Sequence, residues 1–330
     1  MSKNIAILGS GSWGTAAAML LRRNNHNVTL WSRSEQKSRS LAETLENTEY
    51  LPGISLDKEM CFTSDISCVC NKDLIVIATP SSAVRDIAKS ISGYVTDKSV
   101  IVILAKGLEK GTYKTMSEVV SDECKNSKVA VMSGPSHAEE VSVGMPTLNV
   151  VASKDLECAY FIQDVFMNET FRIYTSTDIM GVELGGALKN VIALCAGVTD
   201  CIGFGDNTKA ALMTRGISEI ARLGTSMGAN PETFWGLSGI GDLIVTCTSM
   251  HSRNRRAGIL IGKGMSAEEA QKEVHMVVEG IVNAKAAYEL SIKQGVEMPI
   301  INAAYDVLYN GVNPKESVTN LMLRDKKIES

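Results

Sequence analysis

Residues 5–14 read IAILGSGSWG, an apolar run followed at once by the pattern G-x-G-x-x-G. The run over 5–8 predicts a strand, and residues 14–23 have the pattern of a helix. A second β-branched run at 28–31 closes a strand–helix–strand unit of about 30 residues. In this context the glycine pattern predicts a dinucleotide-binding turn of the Rossmann type.

Each glycine of the pattern has its own physical role. Gly9 permits a tight turn after the strand, Gly11 lets backbone N–H groups approach a pyrophosphate, and Gly14 lets the helix pack closely on the strand. The N-terminus of the helix adds free N–H donors and the positive end of the helix dipole for the phosphates. An ordinary strand–helix turn is the alternative, because glycine-rich turns are common.

Short apolar runs alternate with helical patterns through the first half of the chain. The runs that predict strands lie at 5–8, 28–31, 74–78, 100–105, 129–132, 147–152 and 171–174. Their nearly continuous apolar character is typical of a parallel sheet covered by helices on both faces. After Asp178 strand patterns nearly vanish and helical patterns continue to the end. The sequence therefore predicts a doubly wound Rossmann-type α/β domain over 1–184 and an all-α domain over 185–330, with a ligand cleft between them.

Composition and charge exclude several classes of protein. The 330 residues suffice for about two domains, and the net charge of -4 argues against a general affinity for nucleic acid or an anionic membrane. The most apolar long segment, 184–203, contains Lys189, Asn190 and Asp200, so it is predicted to be a buried helix and not a membrane span.

The eight cysteines are scattered along the chain without a C-x-x-C pair. Structural zinc needs two tight Cys/His pairs, so no metal site is predicted. A chain long enough to bury a large core does not need a disulfide scaffold. Reduced thiols indicate a reducing compartment, and a cytoplasmic protein is expected.

The end of the second predicted strand bears on the choice of cofactor. An NAD site usually places Asp or Glu there to hold the ribose 2′-OH, whereas an NADP site tends to place an Arg nearby. This chain has Ser32-Arg33-Ser34, with no carboxylate before Glu35. Because Arg33 can pair with a 2′-phosphate, NADP(H) is favoured, with NAD(H) as a further cofactor. An ordinary surface arginine is the alternative.

Polar residues follow two further predicted strands. Lys106 follows the strand at 100–105, and a lysine there can orient a phosphorylated or carbonyl substrate, although a solvated lysine is equally consistent with the sequence. Gly134 and Ser136 follow the strand at 129–132 and can present backbone N–H groups and a hydroxyl to a ligand. His137 comes next, but a lone histidine is more often structural, and no catalytic role is assigned to it.

The long apolar helix carries the best candidate for a general base. Two glycines in a helix cost about 1 kcal/mol each, so Gly185 and Gly186 predict a close approach of backbone or cofactor. Lys189 on this helix loses solvation, which lowers the pKa of the amine toward the range useful for proton transfer. A lysine whose amine reaches solvent at the edge of the helix is the alternative.

A carboxylate and a basic cluster follow in the helical half. Asp242 comes after a glycine-rich loop, and Ser252, Arg253 and Asn254 offer a hydroxyl, a guanidinium fork and an amide. This set suits a phosphate monoester, and in an acidic chain it is the clearest local anion site. A solvated basic run is the alternative.

Together these segments resemble the NAD(P)-dependent glycerol-3-phosphate dehydrogenases of bacterial type. The resemblance runs through nearly the whole chain and rests, in order, on GSGSWGTA, NTEYLPGI, ATPSSAVR, AKGLEK, SGPSHAEEV, ELGGALKNVIA, GDNTKAALMTRG, GLSGIGDLIVTC, SRNRRAG and VVEG. It implies a helical domain like the C-terminal domain of 6-phosphogluconate dehydrogenase. It also implies reversible NAD(P)H-dependent reduction of dihydroxyacetone phosphate to sn-glycerol 3-phosphate, for phospholipid synthesis.

The resemblance implies a role for each matched residue. Lys189 is the implied proton acceptor in oxidation. The implied substrate contacts are Lys106, Gly134, Ser136, Lys189, Asp242, Ser252, Arg253 and Asn254. The implied cofactor contacts, besides Gly9, Gly11 and Gly14, are Ser12, Trp13, Arg33, Tyr50, Lys106, Ala138, Arg253, Val277 and Glu279. Cys201 stands where a small residue, usually Gly, is expected and Trp235 is bulkier than usual, which puts only local packing in doubt.

Two rival functions stay open at this point. A 3-hydroxyacid or 6-phosphogluconate dehydrogenase has the same architecture, and a silent dinucleotide sensor would use the fold for binding alone. Lys189 and the anion cluster favour an enzyme. The expected partners are small molecules, without nucleic acid or membrane insertion, and the number of subunits, including a homodimer, stays open.

Overall fold

The structure, a computed structural model, describes residues 1–326, 328 and 329. Its strands are β1 (Asn4–Leu8), β2 (Asn27–Trp31), β3 (Glu46–Asn47), β4 (Leu51–Ser55), β5 (Cys61–Thr63), β6 (Leu74–Ile77), β7 (Val100–Ile103), β8 (Lys128–Ser133), β9 (Thr147–Ser153) and β10 (Phe171–Ser176). The helices of the sheet region are α1 (Ser12–Arg23), α2 (Glu35–Thr44), α3 (Val84–Ile91), α4 (Met116–Glu123), α5 (Ala138–Ser142) and α6 (Leu156–Phe166). The remaining helices are α7 (Ile179–Ile202), α8 (Asp206–Ser226), α9 (Asp242–Thr248), α10 (Arg253–Gly262), α11 (Ala267–Val274), α12 (Glu279–Gln294), α13 (Pro299–Tyr309) and α14 (Pro314–Met322).

An eight-stranded sheet organises the first half of the chain, in the order β10-β9-β8-β7-β6-β1-β2-β5. Every predicted strand is present, and the fold class is confirmed. Successive residues of a strand point to opposite faces, and here both faces are covered. Ile5 and Ile7 pack with residues of α1, whereas Ala6 and Leu8 pack with residues of α3 and α4.

The sheet is parallel, as predicted, except at one pair of strands. β9 runs antiparallel to β8, while β10 is parallel to β9. A parallel return needs a crossover that spans the length of the strand. The connection after β8 contains only the five-residue helix α5, so the chain turns back from the edge at which β8 ends. The short edge strand β5 and the β3–β4 hairpin were not predicted.

Helix α7 begins the helical half of the chain. Its first turn is capped by Asp178, whose side chain accepts a hydrogen bond from the N–H of Gly181. The change from sheet to helices therefore comes at Asp178, and the predicted division between residues 184 and 185 falls inside a continuous helix. By length and composition alone α7 could cross a membrane, but 78% of its most apolar window is buried within the protein. The prediction of a buried helix is confirmed.

Two glycines bring α7 and α10 into close contact. A Cβ on Gly197 would lie 2.0 Å from the carbonyl oxygen of Arg255, and a Cβ on Gly258 would lie 2.0 Å from that of Leu194. Neither helix tolerates a side chain at this crossing, because real Cβ atoms do not approach an oxygen so closely. The packing sets the N-terminus of α10, with Ser252 as its N-cap, beside the middle of α7.

Candidate active site

Five parallel strands end at one edge of the sheet, and chemistry-bearing residues follow each of them. These residues are Gly9 after β1, Arg33 after β2, Ser81 after β6, Lys106 after β7 and Gly134 after β8. The carboxyl ends of the strands in an open α/β sheet form the crevice in which ligands bind. The helical half closes this crevice from the other side, through α7, α9, α10 and α12.

The glycine turn has the geometry expected of a phosphate cradle. Gly9 has φ +119°, which favours glycine, and a Cβ on Gly14 would lie 1.9 Å from the carbonyl oxygen of Gly9. Gly11 is the N-cap of α1 and has open space where a Cβ would stand. Asn47 supports the turn from outside, since its Nδ2 donates to the carbonyl oxygen of Ser10 at 2.9 Å.

Arg33 and Tyr50 lie at the β2 end of the crevice. Arg33 is exposed, and its charge acts on the phenol of Tyr50. Lys37 stands over the Tyr50 ring, with Nζ 5.0 Å from the ring centroid, and pairs with Glu49 at 3.0 Å. Sequence reasoning missed Lys37, which adds a second cation to the region predicted to receive a 2′-phosphate.

At the centre of the crevice two lysines share one carboxylate. Nζ of Lys189 donates to Oδ1 of Asp242 at 2.5 Å, and Nζ of Lys106 donates to Oδ2 at 2.6 Å. Lys189 also donates to Oγ1 of Thr246 at 2.7 Å, and Lys106 donates to the carbonyl oxygen of Gly134 at 3.1 Å. The structure thus brings together four residues predicted from separate segments and adds Thr246.

Burial sets the protonation of this group. Desolvation lowers the pKa of Lys189 to about 8, against the attraction of Asp242 and with the help of repulsion from Lys106. Burial alone would raise the pKa of Asp242, but Lys106 and Lys189 outweigh it and hold that pKa below its usual value. Lys189 is 6% exposed. The alternative of a lysine reaching solvent at the helix edge is therefore excluded.

The two glycines of α7 make room for neighbouring segments, as predicted. A Cβ on Gly185 would lie 2.6 Å from the carbonyl oxygen of Ser238, in the π-helical turn Leu237–Gly241 that precedes Asp242. A Cβ on Gly186 would lie 2.5 Å from Oγ of Ser133 and 3.5 Å from the stem of Lys106. Small residues on α7 therefore let the charged side chains approach Lys189.

The loop after β8 contributes Gly134 and Ser136. Gly134 has φ +148°, and its carbonyl oxygen accepts hydrogen bonds from both Lys106 and the Ser136 hydroxyl, the latter at 3.1 Å. Ser133, at the end of the strand, lies with its Oγ 3.5 Å from Asp242. The loop is thereby tied to the pair of lysines.

The three arginines of the basic cluster have different surroundings. Arg255 forms a two-nitrogen contact with Asp200, at 2.7 and 2.9 Å, and Arg256 is exposed. Arg253 forms no hydrogen bond or ion pair within residues 1–326, 328 and 329, and burial lowers its pKa. Ser252 caps α10 by accepting from the N–H of Arg255. Arg253 is therefore the guanidinium left available for an anion.

Asn254 connects this cluster to helix α7. Its Nδ2 donates to Oδ1 of Asn190 at 2.9 Å, and its Oδ1 accepts from the N–H of Gly280 at 2.8 Å. Asn190 is the neighbour of Lys189 on α7. The contacts fix α7, α10 and the start of α12 against one another.

Glu279, the first residue of α12, reaches across to the sheet. Its two carboxylate oxygens accept from the backbone N–H of Ser81 at 3.0 Å and from the Ser81 hydroxyl at 2.7 Å. Burial raises the pKa of Glu279, opposed by these bonds and by Arg253. Val277 is partly exposed just before α12, and Ala138 is buried at the start of α5. Trp13 packs on Phe171, with ring centroids 6.4 Å apart.

Buried polar atoms without a partner collect around this crevice. Among the described residues five such side-chain atoms occur, and four lie beside the predicted ligand-binding segments: Oδ1 of Asn47, Oγ1 of Thr79, Nε2 of His137 and Oδ1 of Asn149. Thr79 adjoins Gly9, and Asn149 adjoins Gly134. Because buried polar groups in proteins are usually paired, this concentration indicates a place where a polar ligand completes the structure.

Models of one protein family match both halves of the chain. The NAD-dependent glycerol-3-phosphate dehydrogenase N-terminus matches residues 4–159, and the C-terminus of the same family matches residues 178–319. The chain belongs to this family. The resemblance stated from the sequence is confirmed.

Close relatives and a solved structure agree. The chain is 52% identical over 328 residues to glycerol-3-phosphate dehydrogenase (NAD(P)+) from Fusobacterium nucleatum subsp. nucleatum, covering 98% of each chain. It is 54% identical over 327 residues to the enzyme of that name from Thermoanaerobacter sp., again with 98% of each chain covered. The crystal structure of glycerol-3-phosphate dehydrogenase from Coxiella burnetii superposes with a TM-score of 0.94 at 34% identity, over 98% of this chain and 99% of that one.

Two positions that depart from the pattern of the glycerol-3-phosphate dehydrogenases have simple local accounts. The Cβ of Cys201 lies 2.6 Å from where a Cβ on Gly262 would stand, so a glycine on α10 makes room for the cysteine. Trp235 is 52% exposed and fills no core position.

Several residues of the site in this glycerol-3-phosphate dehydrogenase chain were missed from the sequence. Thr246 is found four residues after Asp242 on one helix, a spacing that places both on one face. Asn283 accepts from the N–H of Leu108 at 3.3 Å and donates to the carbonyl oxygen of Ala187 at 3.1 Å. It therefore joins the loop of Lys106 to the helix of Lys189, and no local pattern signals such a contact.

Proposed function

We propose that this chain catalyses the reversible NAD(P)H-dependent reduction of dihydroxyacetone phosphate to sn-glycerol 3-phosphate. The observation that carries the proposal is the buried set in which Lys189 and Lys106 share the carboxylate of Asp242, at 2.5 and 2.6 Å. A carbonyl substrate needs a proton donor of this kind at the reacting oxygen. Membership of the glycerol-3-phosphate dehydrogenase family supports the choice of substrate.

The residues at the sheet edge fit a nicotinamide dinucleotide. The turn from Gly9 to Gly14 leaves no side chain between the backbone N–H groups at the start of α1 and a pyrophosphate. Ser12 and Trp13 begin α1 within this turn, and Ala138 is the first residue of α5. Arg33 and Tyr50 receive the adenosine end of the cofactor. Val277, Glu279, Lys106 and Arg253 complete the set of proposed cofactor contacts. When bound, the reduced cofactor supplies the hydride that reaches C2 of the substrate.

Lys189 holds the proton that the reaction needs. At neutral pH the amine, with a pKa of about 8, is mainly protonated and donates to the substrate oxygen at C2. In the direction of oxidation the deprotonated amine accepts the hydroxyl proton, so one group serves both directions. Asp242 and Thr246 fix the position of Nζ, and Lys106 orients the oxygens of the substrate together with Gly134 and Ser136.

The remote phosphate of the substrate is held by the start of α10. Arg253 carries a charge that forms no hydrogen bond or ion pair with the described residues, Ser252 offers a hydroxyl, and Asn254 offers an amide at the N-terminus of a ten-residue helix. Charge-assisted bonds to a phosphate monoester are strong and directional. Binding this remote group aligns the reacting carbon with Lys189.

The cofactor and the cellular role follow from the same assignment. Arg33 and Lys37 supply positive charge where a ribose 2′-phosphate would lie, so NADPH is the preferred reductant and NADH is also accepted. The product feeds glycerophospholipid synthesis. The eight cysteines, all within the described residues, are free thiols, which supports a cytoplasmic location.

Steady-state assays test the function directly. Purified chain should oxidise NADPH with dihydroxyacetone phosphate, and NADH on the same preparation gives the cofactor preference. Turnover of a 3-hydroxyacid or of 6-phosphogluconate, with none of dihydroxyacetone phosphate, would assign the chain to a rival dehydrogenase. Tight NADPH binding without turnover of any of these substrates would make it a sensor.

Three further expectations belong to the proposal. Light scattering on the purified protein tests whether it is a homodimer. A gel-shift measurement at low salt tests the expected absence of nucleic-acid binding. The division into domains at residues 184 and 185 can be tested by limited proteolysis; because α7 is continuous across it, cleavage before Asp178 would move the boundary to that residue.

A further inference from the structure

His137, in the loop after β8, has a side chain to which the site described above assigns no contact. It is the N-cap residue of α5, but its side chain makes no capping hydrogen bond. Its Nε2 is buried and has no hydrogen-bond partner among residues 1–326, 328 and 329. Burying an unpaired polar atom costs free energy, so the position needs an explanation that packing does not supply.

A buried histidine elsewhere in the chain, His26, shows the ordinary arrangement. His26 accepts from the N–H of Lys3 at its Nδ1, at 3.2 Å, and its Nε2 lies 3.0 Å from the carbonyl oxygen of Val165. Both nitrogens are therefore paired within the protein. His137 differs in kind from such a structural histidine.

The ring of His137 is near both the lysine–aspartate cluster and the residue that precedes the proposed phosphate subsite. The charges of Lys189 on α7 and Asp242 on α9 act on its ring, as do those of Glu139 and Glu140 on α5. The ring of His251 lies 5.7 Å away, centroid to centroid, and this residue directly precedes Ser252.

The basic helix terminus reaches the same place from the other side. The charge of Glu139 acts on Arg253 as well as on His137. The loop after β8 and the N-terminus of α10 therefore meet around the His137 ring. Burial, followed by repulsion from Lys189, lowers the pKa of His137, so the ring is neutral at pH 7 and carries one N–H donor.

We propose that His137 is a further substrate contact, whose unpaired nitrogen donates a hydrogen bond to the substrate phosphate beside Ser252 and Arg253. This inference rests on the proposed function, since it assigns a phosphate monoester to that subsite. A phosphate oxygen is a strong acceptor and satisfies the nitrogen that the protein leaves unpaired. The residue binds substrate and takes no part in proton transfer, which stays with Lys189.

The test is a comparison of two substitutions at one position. His137→Phe keeps a ring of similar size without nitrogen, and His137→Gln places an amide N–H close to the position of Nε2. For His137→Phe we expect the KM for dihydroxyacetone phosphate and the inhibition constant of inorganic phosphate to rise together, each about tenfold. The KM for NADPH and kcat should stay within about twofold, and the Gln variant should recover most of the loss.

A matched control separates binding from folding. His26→Phe removes two paired nitrogens, so its Tm should fall while its KM for dihydroxyacetone phosphate stays that of the unmodified chain. The Tm of His137→Phe should be unchanged or higher, because an unpaired buried nitrogen is removed.

Several results would overturn the inference. One is that His137→Phe leaves the KM for dihydroxyacetone phosphate and the inhibition constant of phosphate unchanged. Another is a rise confined to the KM for NADPH. A third is a lowered Tm in His137→Phe together with no recovery of the KM in His137→Gln. If the unmodified chain fails to reduce dihydroxyacetone phosphate, the proposed function fails. Calorimetric binding of inorganic phosphate to the two variants then still decides whether His137 contacts a phosphate.

Discussion

The glycine turn and the lysine–aspartate cluster are built in opposite ways. The turn lies within six consecutive residues, Gly9 to Gly14, and works through backbone N–H groups and the absence of side chains. The cluster consists of side chains from three segments: Asp242 is 136 residues from Lys106 and 53 from Lys189. The turn needs only local sequence to form, whereas the cluster exists only when both halves of the chain have folded against each other.

Because of this difference, substitutions in the two regions should have different effects on the enzyme. A substitution in the turn should act on cofactor binding with little effect on proton transfer. A substitution in the cluster should act on turnover while the cofactor still binds. Four variants, ordered from the largest expected effect to the smallest, can separate the two regions or show that they are coupled.

Replacing Lys189 by Ala should have the largest effect. Loss of the proton donor should lower kcat for dihydroxyacetone phosphate reduction about 10³-fold, while the Kd for NADPH, measured by fluorescence titration, stays within about twofold. Lys209→Ala is the matched control, since this lysine pairs with Asp200 outside the crevice and should keep full activity. Unchanged turnover in Lys189→Ala would refute the assigned base.

Replacing Asp242 by Asn should reduce kcat about a hundredfold, because two charge-assisted hydrogen bonds lose their anion. The pH profile gives a second readout. Reduction needs protonated Lys189, so its rate should fall as the pH rises through about 8, and oxidation should rise over the same range. Asp242 raises the pKa of Lys189. In Asp242→Asn the fall of the reduction rate and the rise of the oxidation rate should therefore both move to lower pH. A pH profile that does not shift would show that Asp242 does not act on the pKa of the Lys189 amine.

Replacing Gly14 by Ala should act on the other region. The new Cβ would meet the carbonyl oxygen of Gly9 at 1.9 Å, and overpacking of this kind costs about 1–3 kcal/mol. NADPH binding should weaken about thirtyfold, with kcat at saturating NADPH nearly unchanged. Gly53→Ala offers a control at another glycine, because a Cβ there meets nothing within 4 Å. The positive φ of Gly53 strains an alanine, so this control should lose some Tm. A fall in kcat for Gly14→Ala that saturation does not restore would show that the regions are coupled.

Replacing Arg33 by Ala should give the smallest and most selective effect. Loss of one charge-assisted bond to the 2′-phosphate should raise the KM for NADPH about tenfold and leave the KM for NADH within about twofold. Arg39→Ala is a control on the same surface, since Arg39 is an exposed residue paired with Glu35. Equal rises in the KM for NADPH and in the KM for NADH would show that Arg33 does not determine the preference for NADPH.

The sequence predicted the parts of the fold that depend on local periodicity. Seven strands and the helical second half were placed from apolar runs, because a strand buried on both faces carries its own signal. The antiparallel direction of β9 was missed, since strand direction depends on the length of the connecting helix α5 and not on the composition of the strand. β5, with three residues at the edge, is too short to show a pattern.

The candidate site divides in the same way. Lys189 and Asp242 could be singled out from their neighbours in sequence, but their contact could not, because it depends on the crossing of α7 with α9. The special position of Arg253 was likewise invisible. Only the folded chain shows that Arg255 is neutralised by Asp200, that Arg256 faces solvent and that Arg253 forms no ion pair with any described residue.

Helix α7, which packs against α8, α9, α10 and α12, has a consequence for how the enzyme loses activity. Amide hydrogens in the middle of such a helix exchange with solvent only when the whole domain opens, whereas loops at the sheet edge open locally. We therefore expect the amide hydrogen of Lys189 to exchange slowly. Heating or denaturant should abolish turnover and global structure in one transition, so residual activity measures the fraction of chains that remain folded.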